Sequence, residues 1–394
     1  MTDAILTLNA GSSSLKFALF EIVGADLRLA SHGQVEGVGV APHLIAKDAQ
    51  GAVLTEQRWP GGADMALEAF LDPLFAWVDA HLGDDVLIAV GHRIVHGGSQ
   101  FSGPALIDEA VLAQMTALSP LAPLHQPHNI AAVRAAQAAR PNLPQVACFD
   151  TAFHHGLAPV VTRFALPRQW EDQGVRRYGF HGLSYAFVSG RLRALDPALS
   201  AGKVVIAHLG NGASLCALED GHSRDTTMGF TALEGLVMGA RCGVIDPGVL
   251  LYLQQQAGLS VAALETLLYQ QSGLLGVSGL SSDMRLLLAS PAARAREAVE
   301  LFVFQIARQT GGLISTLGGL DGFVFTAGVG ENAPAIRAAV AERLAWTGLV
   351  LDPDANQRGA GRISAETSKI AVWVIPTDEE AVIARQTLSL LDRP

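Results

Sequence analysis

Two similar strand–turn–strand segments lie about 200 residues apart in this chain of 394 residues. In the first segment, apolar Ile5–Leu8 leads into the polar turn Asn9–Ser14 and then into a second, alternating strand. In the second segment, apolar Val204–Ala207 leads into His208–Ser214 and then into Leu215–Leu218. The repeat predicts an internal duplication with one copy in each of two domains, and chance similarity between two hairpins is the alternative.

The rest of the chain alternates strand and helix patterns. Short apolar runs at Val86–Val90, Gln145–Phe149, Gly322–Thr326 and Ala371–Ile375 predict buried strands. This alternation favours mixed sheets covered by helices, so we predict an α/β fold. A single hydrophobic core rarely grows beyond about 250–300 residues, which also favours two domains.

Two helices can be predicted from their patterns. Apolar residues at helical spacing predict a long helix over Pro291–Leu317. Ser290 is the expected N-cap of that helix, and Pro291 would occupy its first position. Glu379–Leu391 has the pattern of a closing helix.

The predicted domain boundary lies near Asp150. Residues 1–150 would form the first domain and residues 151–379 the second. We expect the terminal helix, about 380–394, to pack back on the first domain.

Composition argues against several classes of partner. The formal net charge is −10, and an acidic chain repels nucleic acid and anionic membranes. The chain contains no run of about 18 apolar residues, so no transmembrane helix is predicted.

The three cysteines form no Cys-x-x-Cys pair or disulfide framework, which fits a reducing cytoplasm. Only 16% of the residues are charged, which leaves room for an oligomer interface.

Three glycine-rich segments, Asn9–Ser14, Gly210–Ser214 and Ala327–Asn332, each follow a predicted strand. Glycine lets backbone N–H groups approach an anion closely, so such turns are candidate phosphate sites. None of the three has the spacing of a Walker A loop. A single segment of this kind is more often a plain hairpin turn, but three together predict phosphate binding.

Arginine, aspartate and histidine residues stand next to further predicted strand ends or glycines. Gly91–Gly98 contains Arg93 and two histidines, and Asp150 follows the strand that ends at Phe149. Because loops at strand ends often carry function, we predict that these residues belong to a site. The alternative is a glycine-rich loop with surface histidines. Histidines without a predicted role are expected at the surface: His43, His81, His92 and His222.

An ordered set of phrases resembles the acetate kinase family and spans essentially the whole chain. The phrases are Leu8–Lys16, Gly91–Gly98, Phe149–His154, Tyr178–Gly182, His208–Ser214, Thr227–Thr231, Phe325–Asn332 and Pro376–Glu380. The resemblance implies two duplicated actin-like (ribonuclease H-like) α/β domains with ATP in the cleft between them. It also implies reversible transfer of the ATP γ-phosphoryl group to acetate, giving acetyl phosphate and ADP. A homodimer and a Mg²⁺ ion, with Mn²⁺ as an alternative, are further implications.

Site residues follow from the same resemblance. Such a reaction joins two anions, so charge neutralisation is its main need, and arginine grips carboxylate and phosphoryl oxygens bidentately. The implied catalytic residues are Asp150, His181, Arg241 and Arg93, and the implied metal ligands are Asn9 and Glu379. The implied substrate-binding residues are Arg93, Val95, Leu124, His125, Phe180 and Ala232. The implied nucleotide-binding residues are Lys16, His208, Leu209, Gly210, Asn211, Gly212, Asp283, Met284, Arg285, Gly328, Val329, Gly330, Glu331 and Asn332.

The resemblance implies a catalytic role for Asp150, but a general-base role conflicts with the chemistry of the substrate acid. A carboxylic acid that resembles a glutamate side chain has a pKa of about 4.3, so it is already ionised at neutral pH. A general base would therefore have no proton to remove. We predict instead that Asp150 orients an arginine or a metal-bound water. For His125, a structural role and a role near the substrate are both open.

Two positions depart from the family pattern. Ala232 stands where the family has a proline that lines the pocket for the substrate's methyl group, and Val244 replaces an acidic residue. The smaller Ala232 predicts a roomier pocket that accepts propionate better. A propionate or butyrate kinase of the same superfamily therefore remains an alternative. A nucleotide-dependent binding protein is the alternative from another class, but it would not need two arginines and His181.

Overall fold

The structure, a computed structural model, describes residues 2–11, 14–62 and 64–391. Ser12 and Ser13, in the predicted turn Asn9–Ser14, lie outside the described residues. The chain divides into two compact units. Unit 1 comprises the described residues up to His155 and from Asp378 onward, and unit 2 comprises Gly156–Thr377. Within the described ranges, no helix is both long enough and apolar enough to span a membrane.

Strands make up two sheets, one in each unit. The strands are β1 (Asp3–Ala10), β2 (Leu15–Val23), β3 (Asp26–Glu36), β4 (His43–Asp48), β5 (Val53–Arg58), β6 (Val86–Ile94), β7 (Ala105–Leu106), β8 (Gln145–Phe149), β9 (Lys203–Leu209), β10 (Ala213–Glu219), β11 (His222–Thr226), β12 (Gly322–Thr326), β13 (Gly361–Arg362) and β14 (Ala371–Val374).

Helices connect and cover these strands. The helices are α1 (Leu71–Leu82), α2 (Glu109–Ala117), α3 (Gln126–Ala139), α4 (Pro159–Thr162), α5 (Arg168–Asp172), α6 (Gly182–Leu195), α7 (Pro197–Ser200), α8 (Pro247–Gln255), α9 (Val261–Gln270), α10 (Gly273–Ser278), α11 (Met284–Ala289), α12 (Ala293–Leu317), α13 (Ala327–Asn332), α14 (Pro334–Arg343), α15 (Pro353–Arg358) and α16 (Glu379–Leu390). Short 3-10 turns occupy Leu67–Phe70, Ser119–Leu121, Ala152–His154 and Ala345–Thr347.

The two sheets share a core arrangement. In unit 1 the strand order is β5-β4-β3-β2-β1-β6-β8-β7, and in unit 2 it is β11-β10-β9-β12-β14-β13. In each sheet the first hairpin is antiparallel, and its first strand pairs in parallel with the next strand along the core. A further parallel strand follows in both sheets. The α/β prediction is confirmed, and the shared order supports the predicted duplication.

Several segments predicted as loops are in fact part of regular elements. Gly91–Ile94 continues β6, and His208 and Leu209 are the last residues of β9. Each of these strands pairs in parallel with a neighbour as far as these residues, which extends it beyond its apolar run. The glycine-rich segment Ala327–Asn332 forms the short helix α13 and not an open turn.

The predicted start of the long helix was wrong by two residues. Helix α12 begins at Ala293 with Ala292 as its N-cap. Ser290 is instead the C-cap residue of α11, and its hydroxyl accepts a hydrogen bond from the Ala292 N–H at 3.3 Å. Ser290 therefore stabilises the turn between α11 and α12 and does not cap α12.

The terminal helix α16 packs against β1, β6 and β8 of unit 1. Helices α1 and α3 cover the opposite face, where Leu6 and Leu8 join their apolar side chains in the core. Gly91 of β6 permits the close approach of α16. A Cβ atom at this position would lie 2.3 Å from Thr387 Oγ1 and 2.6 Å from Ile383 Cγ2.

Replacing Gly91 with alanine should therefore destabilise unit 1. We expect Gly91→Ala to lower the free energy of unfolding by about 1–3 kcal/mol, because overpacking forces α16 away from the sheet. The matched control is Gly190→Ala in α6, where an added Cβ meets no atom within 4 Å. That change should raise stability by about 0.5–1 kcal/mol through helix propensity. Urea unfolding measures both, and equal midpoints for Gly91→Ala and the unaltered protein would contradict the packing account.

Candidate active site

Arg93 and Asp150 form a partly buried ion pair at the carboxyl ends of two parallel strands in unit 1. Arg93 lies near the end of β6, and Asp150 directly follows the parallel neighbour β8. The Arg93 Nη2 atom donates to Asp150 Oδ2 at 2.6 Å, and Nε lies 3.2 Å from both carboxylate oxygens. Asp150 is 1% exposed. The carboxyl ends of two parallel strands thus bring these residues together, and the carboxylate fixes the guanidinium plane.

Two further residues of unit 1 approach the same guanidinium group. Arg93 Nη1 donates to Asn9 Oδ1 at 3.2 Å and lies 3.7 Å from Glu379 Oε2. Burial lowers the pKa of Arg93, but the charges of Asp150 and Glu379 outweigh it and raise that pKa above its ordinary value. Arg93 is therefore a permanent cation, and the predicted residues Asn9, Arg93, Asp150 and Glu379 form one cluster.

Carboxylates gather where α16 begins. Asp378 is the N-cap of α16 and accepts from the Ala381 N–H at 2.8 Å, and Glu379 and Glu380 follow in the first turn. Burial raises the pKa of Glu380, and the charge of Glu379 raises it further, while Lys16 lowers it. Lys16 lies directly opposite Asn9 in the β1–β2 ladder. The start of α16 therefore carries several carboxylates that repel one another, and Lys16 lies beside them.

The side-chain oxygen atoms of Asn9 and Glu379 fit Mg²⁺ as ligands. The ion takes oxygen ligands and is usually held by one or two carboxylates together with substrate phosphates and waters. Asn9 supplies an amide oxygen and Glu379 a carboxylate. In the part of the chain that the structure describes, no group of three or more His, Cys, Asp or Glu side chains is arranged to hold a metal. The residues present suit an ion that keeps most of its ligands from substrate and water.

Buried amides hold the loop after β6 in place. Asn129 Oδ1 accepts from the Val95 N–H at 3.0 Å, and its Nδ2 donates to the Ala10 carbonyl at 2.8 Å. Gln126 Oε1 accepts from the His96 N–H at 3.2 Å. Both amides belong to α3, whose N-cap is His125. No sequence pattern predicted these two side chains, although they follow His125 closely in the chain.

Leu124 and His125 are half-buried beside the start of α3. Val95 is 7% exposed and lies on the loop that Asn129 binds. The predicted substrate residues of unit 1 thus all adjoin either the end of β6 or the start of α3. Their contact with a substrate stays a prediction.

The prediction that His92 lies at the surface was wrong. Its ring is 2% exposed, and Nε2 lies 2.7 Å from the side-chain amide of Gln145. Burial lowers the pKa of His92 to about 4. Helix α16 packs against β6 on one face of the sheet, and α1 and α3 contact it on the other. The ring is therefore a neutral core group.

In unit 2, His181 adopts a left-handed backbone conformation, with φ 59° and ψ 23°, as the N-cap of α6. Its ring stacks on that of His208, with centroids 4.1 Å apart and planes 18° from parallel. His181 Nδ1 lies 2.8 Å from Ser214 Oγ, and His208 Nδ1 lies 2.8 Å from Ser184 Oγ. Each histidine thus has one ring nitrogen fixed by a serine.

Arg241 and His181 converge beside Gly212. A Cβ atom at Gly212 would lie 2.9 Å from Arg241 Nη2 and 3.2 Å from His181 Nε2. The other amino group, Arg241 Nη1, donates to the Ala232 carbonyl at 2.6 Å. Glycine at position 212 keeps open the space that two nitrogen atoms face. This cluster brings four predicted residues together: His181, Gly212, Ala232 and Arg241.

A cavity of about 650 Å³ in unit 2 collects most of the predicted nucleotide residues. Gly210, Asn211, Asp283, Met284, Arg285, Gly328, Val329 and Asn332 line it. The cavity is also lined by residues that no sequence pattern predicted, namely Leu274, Ser282, Leu288, Ala333, Pro334 and Ala335. Asp283 and Arg285 form an ion pair with a 2.6 Å contact, and the hydrogen bond from Arg285 lowers the pKa of Asp283 to about 2.

Other predicted nucleotide residues do not line this cavity. Leu209 and Gly330 are buried in the fold. Glu331 Oε1 accepts from the Ala327 N–H at 2.8 Å and from the Thr377 N–H at 3.1 Å, so its carboxylate caps α13. Phe180, which was predicted to bind the substrate and not the nucleotide, is 2% exposed and stands next to His181. A nucleotide contact by Leu209, Gly330 or Glu331 stays a prediction.

Two solved structures to which this chain is similar are named as kinases of short-chain acids. One is a propionate kinase from Francisella tularensis, 36% identical, which covers 99% of this chain and 100% of its own with a TM-score of 0.91. Another is an acetate kinase from Porphyromonas gingivalis, also 36% identical, which covers 99% and 100% with a TM-score of 0.86. These two similarities identify the chain as a kinase.

Sequence comparison gives the family. The model of the acetokinase family matches residues 4–385. An acetate kinase from Rhodopseudomonas palustris is 52% identical over 398 residues, covering 100% of this chain and 99% of the relative. An acetate kinase from Rhizobium meliloti is 50% identical over 392 residues, with 100% and 99% covered. The chain belongs to the acetokinase family, and the resemblance found in its motifs is confirmed.

Acidification should destabilise the protein through His92. An unfolded histidine takes up a proton near its ordinary pKa of 6.5, but the folded one does so only near about 4. Because the unfolded chain binds the proton first, stability is lost as pH falls through that window. The loss from this one group is about 2 kcal/mol between pH 7 and pH 5.

Urea unfolding of His92→Gln at the two pH values tests this account. On acidification, the free energy of unfolding should fall by about 2 kcal/mol less in the variant than in the unaltered protein. His222→Gln is the matched control, because His222 is exposed and its replacement should leave the pH dependence unchanged. Parallel curves for His92→Gln and the unaltered protein would contradict the account, because they would show that His92 takes up its proton at the same pH in the folded and unfolded chain.

Proposed function

We propose that this chain catalyses reversible transfer of the ATP γ-phosphoryl group to acetate, giving acetyl phosphate and ADP by direct in-line displacement. The observation that carries the proposal is the Arg93–Asp150 pair, in which a carboxylate that is 1% exposed fixes the plane of a partly exposed guanidinium group. Family membership supports the kinase class, and relatives named acetate kinase support acetate as the acceptor.

Arg93 would bind the carboxylate of the acid. Asp150 holds Nε and Nη2, so the acid would displace the contacts that Nη1 makes with Asn9 and Glu379. The acid needs no deprotonation at neutral pH because it is already ionised. Asp150 therefore acts as the residue that orients Arg93, and a general-base role has no chemical task here.

Arg241 and His181 would stabilise the transferring phosphoryl group. Phosphoryl transfer spreads charge over the equatorial oxygens, so catalysis depends on positioned donors rather than on covalent chemistry. Arg241 Nη2 and His181 Nε2 face the same space beside Gly212. Two donors held there before substrate arrives need little reorganisation during the reaction.

The cavity in unit 2 would hold the nucleoside of ATP or ADP. Apolar Leu274, Met284 and Val329 offer a surface for a base, while Asn211, Ser282 and Asn332 offer polar groups. Lys16 of unit 1 would contact a phosphate. Mg²⁺, or Mn²⁺ in its place, would be held by Asn9 and Glu379. When bound, that ion neutralises phosphate charge.

A hydroxylamine trap for acyl phosphates tests the function directly. With ATP and Mg²⁺, acetate should yield acetohydroxamate, and propionate should yield its hydroxamate with a lower kcat/KM, because each methylene in such a pocket changes binding by about 1–3 kcal/mol. Butyrate extends the series and should react least. ATP loss without hydroxamate from any of these acids would reject the kinase proposal and favour a nucleotide-driven binding protein.

The kcat/KM for propionate relative to acetate should be higher in this protein than in a family member with proline at position 232. Ala232 is half-buried, and its carbonyl accepts the Arg241 hydrogen bond. We expect Ala232→Pro to lower kcat/KM for propionate relative to acetate by about 10-fold, because the ring would fill the space of one methylene. Because kcat/KM for propionate and for acetate are compared within one variant, an effect that acts on both substrates through Arg241 cancels. An unchanged ratio would show that Ala232 does not set acid length.

We also propose a cytoplasmic homodimer in which unit 2 provides the interface. Helix α8 has no buried residue, and it exposes Val249, Leu251 and Tyr252 by 40%, 54% and 63%. Val261 of α9 is 72% exposed. Large exposed apolar groups on adjacent helices favour a protein partner, and a second copy is the partner that the family implies. The three cysteines are free thiols, as in a reducing compartment.

Sedimentation velocity at micromolar concentration tests the dimer. The unaltered protein should sediment as a dimer, and Leu251→Glu combined with Tyr252→Lys should produce a folded monomer. Leu106→Glu in unit 1 is the control, since it places a charge on an exposed residue of a different unit. A dimer that persists in the double variant would place the interface elsewhere.

A further inference from the structure

Ser214 links His181 to a buried tyrosine. Its Oγ lies 2.8 Å from His181 Nδ1 and 2.5 Å from the Tyr185 hydroxyl. Ser214 and Tyr185 are each 0% exposed. Tyr185 stands one helical turn after His181 on α6, and Ser214 pairs with His208 across the β9–β10 ladder. A helix and a hairpin thus hold this row of three polar groups.

The chemistry of the three groups sets the direction of the hydrogen bonds. Burial raises the pKa of Tyr185 well above its ordinary value, so its hydroxyl keeps its proton. A phenol is also a stronger donor and a weaker acceptor than an aliphatic hydroxyl. Tyr185 therefore donates to Ser214 Oγ, and the Ser214 hydroxyl donates onward to His181 Nδ1. Aligned donors of this kind polarise and strengthen one another.

We propose that Tyr185 and Ser214 are positioning residues that hold neutral His181 in the tautomer with its proton on Nε2. Nδ1 is the acceptor in this arrangement, so the remaining nitrogen must be the donor. Stacking on His208 fixes the plane of the ring. The relay therefore determines both the direction and the proton state of the group that faces the space beside Gly212.

That tautomer matters because of what Nε2 faces. Nε2 shares the space beside Gly212 with Arg241 Nη2. An N–H group there donates to a phosphoryl oxygen, whereas the other tautomer would present a lone pair to an anion. A neutral donor beside a permanent cation stabilises the growing charge and avoids two adjacent positive charges before substrate binds. This inference rests on the proposed phosphoryl transfer for its consequence, but not for its geometry.

Nitrogen-15 NMR of histidine-labelled protein tests the proposal without reference to activity. The His181 signals are assigned by their loss in His181→Gln. In the unaltered protein, the spectrum should show a protonated Nε2 and an unprotonated Nδ1 for His181. Tyr185→Phe and Ser214→Ala should each increase the Nδ1–H form, because each removes a donor from the relay. Ser189→Ala on the same helix also removes a buried hydroxyl, one that donates to the Gly221 carbonyl, and should leave His181 unchanged.

Kinetics provide the second readout. Tyr185→Phe and Ser214→Ala should lower kcat by about 10- to 100-fold with little change in KM for the acid, as expected for partners that fix a histidine tautomer. An Nδ1–H tautomer in the unaltered protein, or an unchanged tautomer in both relay variants, would overturn the inference. If the unaltered protein shows the expected tautomer but forms no acyl phosphate, the proposed function fails and the relay stands.

Discussion

The salt bridge between Arg93 and Asp150 is the interaction on which the site in unit 1 depends. A carboxylate that is 1% exposed is costly to bury unless a cation pairs with it closely. The bidentate contact satisfies that need and leaves Nη1 of Arg93 directed toward Asn9 and Glu379. Removing one partner of such a pair typically costs about 3–5 kcal/mol, so the same contact stabilises the fold and orients the cation.

Strand order explains why residues distant in the chain meet in this cluster. Asn9, Arg93 and Asp150 stand at or just after the ends of β1, β6 and β8, which are parallel neighbours. Glu379 joins them because α16 returns to pack on these strands. The apolar runs and the residues that follow them predicted three of these positions from the chain alone. The contacts among them depend on the register of the sheet, which no local pattern contains.

The remaining differences between prediction and structure have the same origin. Strands β6 and β9 extend beyond their apolar runs because neighbouring strands pair with His92, Arg93 and His208. His92 is buried because helices cover the sheet, and the sequence pattern at that position is that of a loop. Tyr185 was not predicted as a site residue, since it is an ordinary helix residue until α6 packs beside β9. Ser214 was predicted only as the last residue of the glycine-rich segment Gly210–Ser214. Arg93 and Asp150 were predictable because they follow apolar runs, whereas Arg241 and Glu379 followed only from the family resemblance.

The steady-state kinetics of Asp150→Asn test the central claim, that Asp150 serves the site by orienting Arg93. Asparagine keeps a hydrogen-bonding side chain of the same size but removes the charge that holds the guanidinium group. The account predicts a loss of about 100-fold in kcat/KM for the acid, since a displacement of 1 Å costs that much, with Mg²⁺ dependence retained. It also predicts that raising the pH does not restore activity. Near-normal turnover of the variant would contradict the claim.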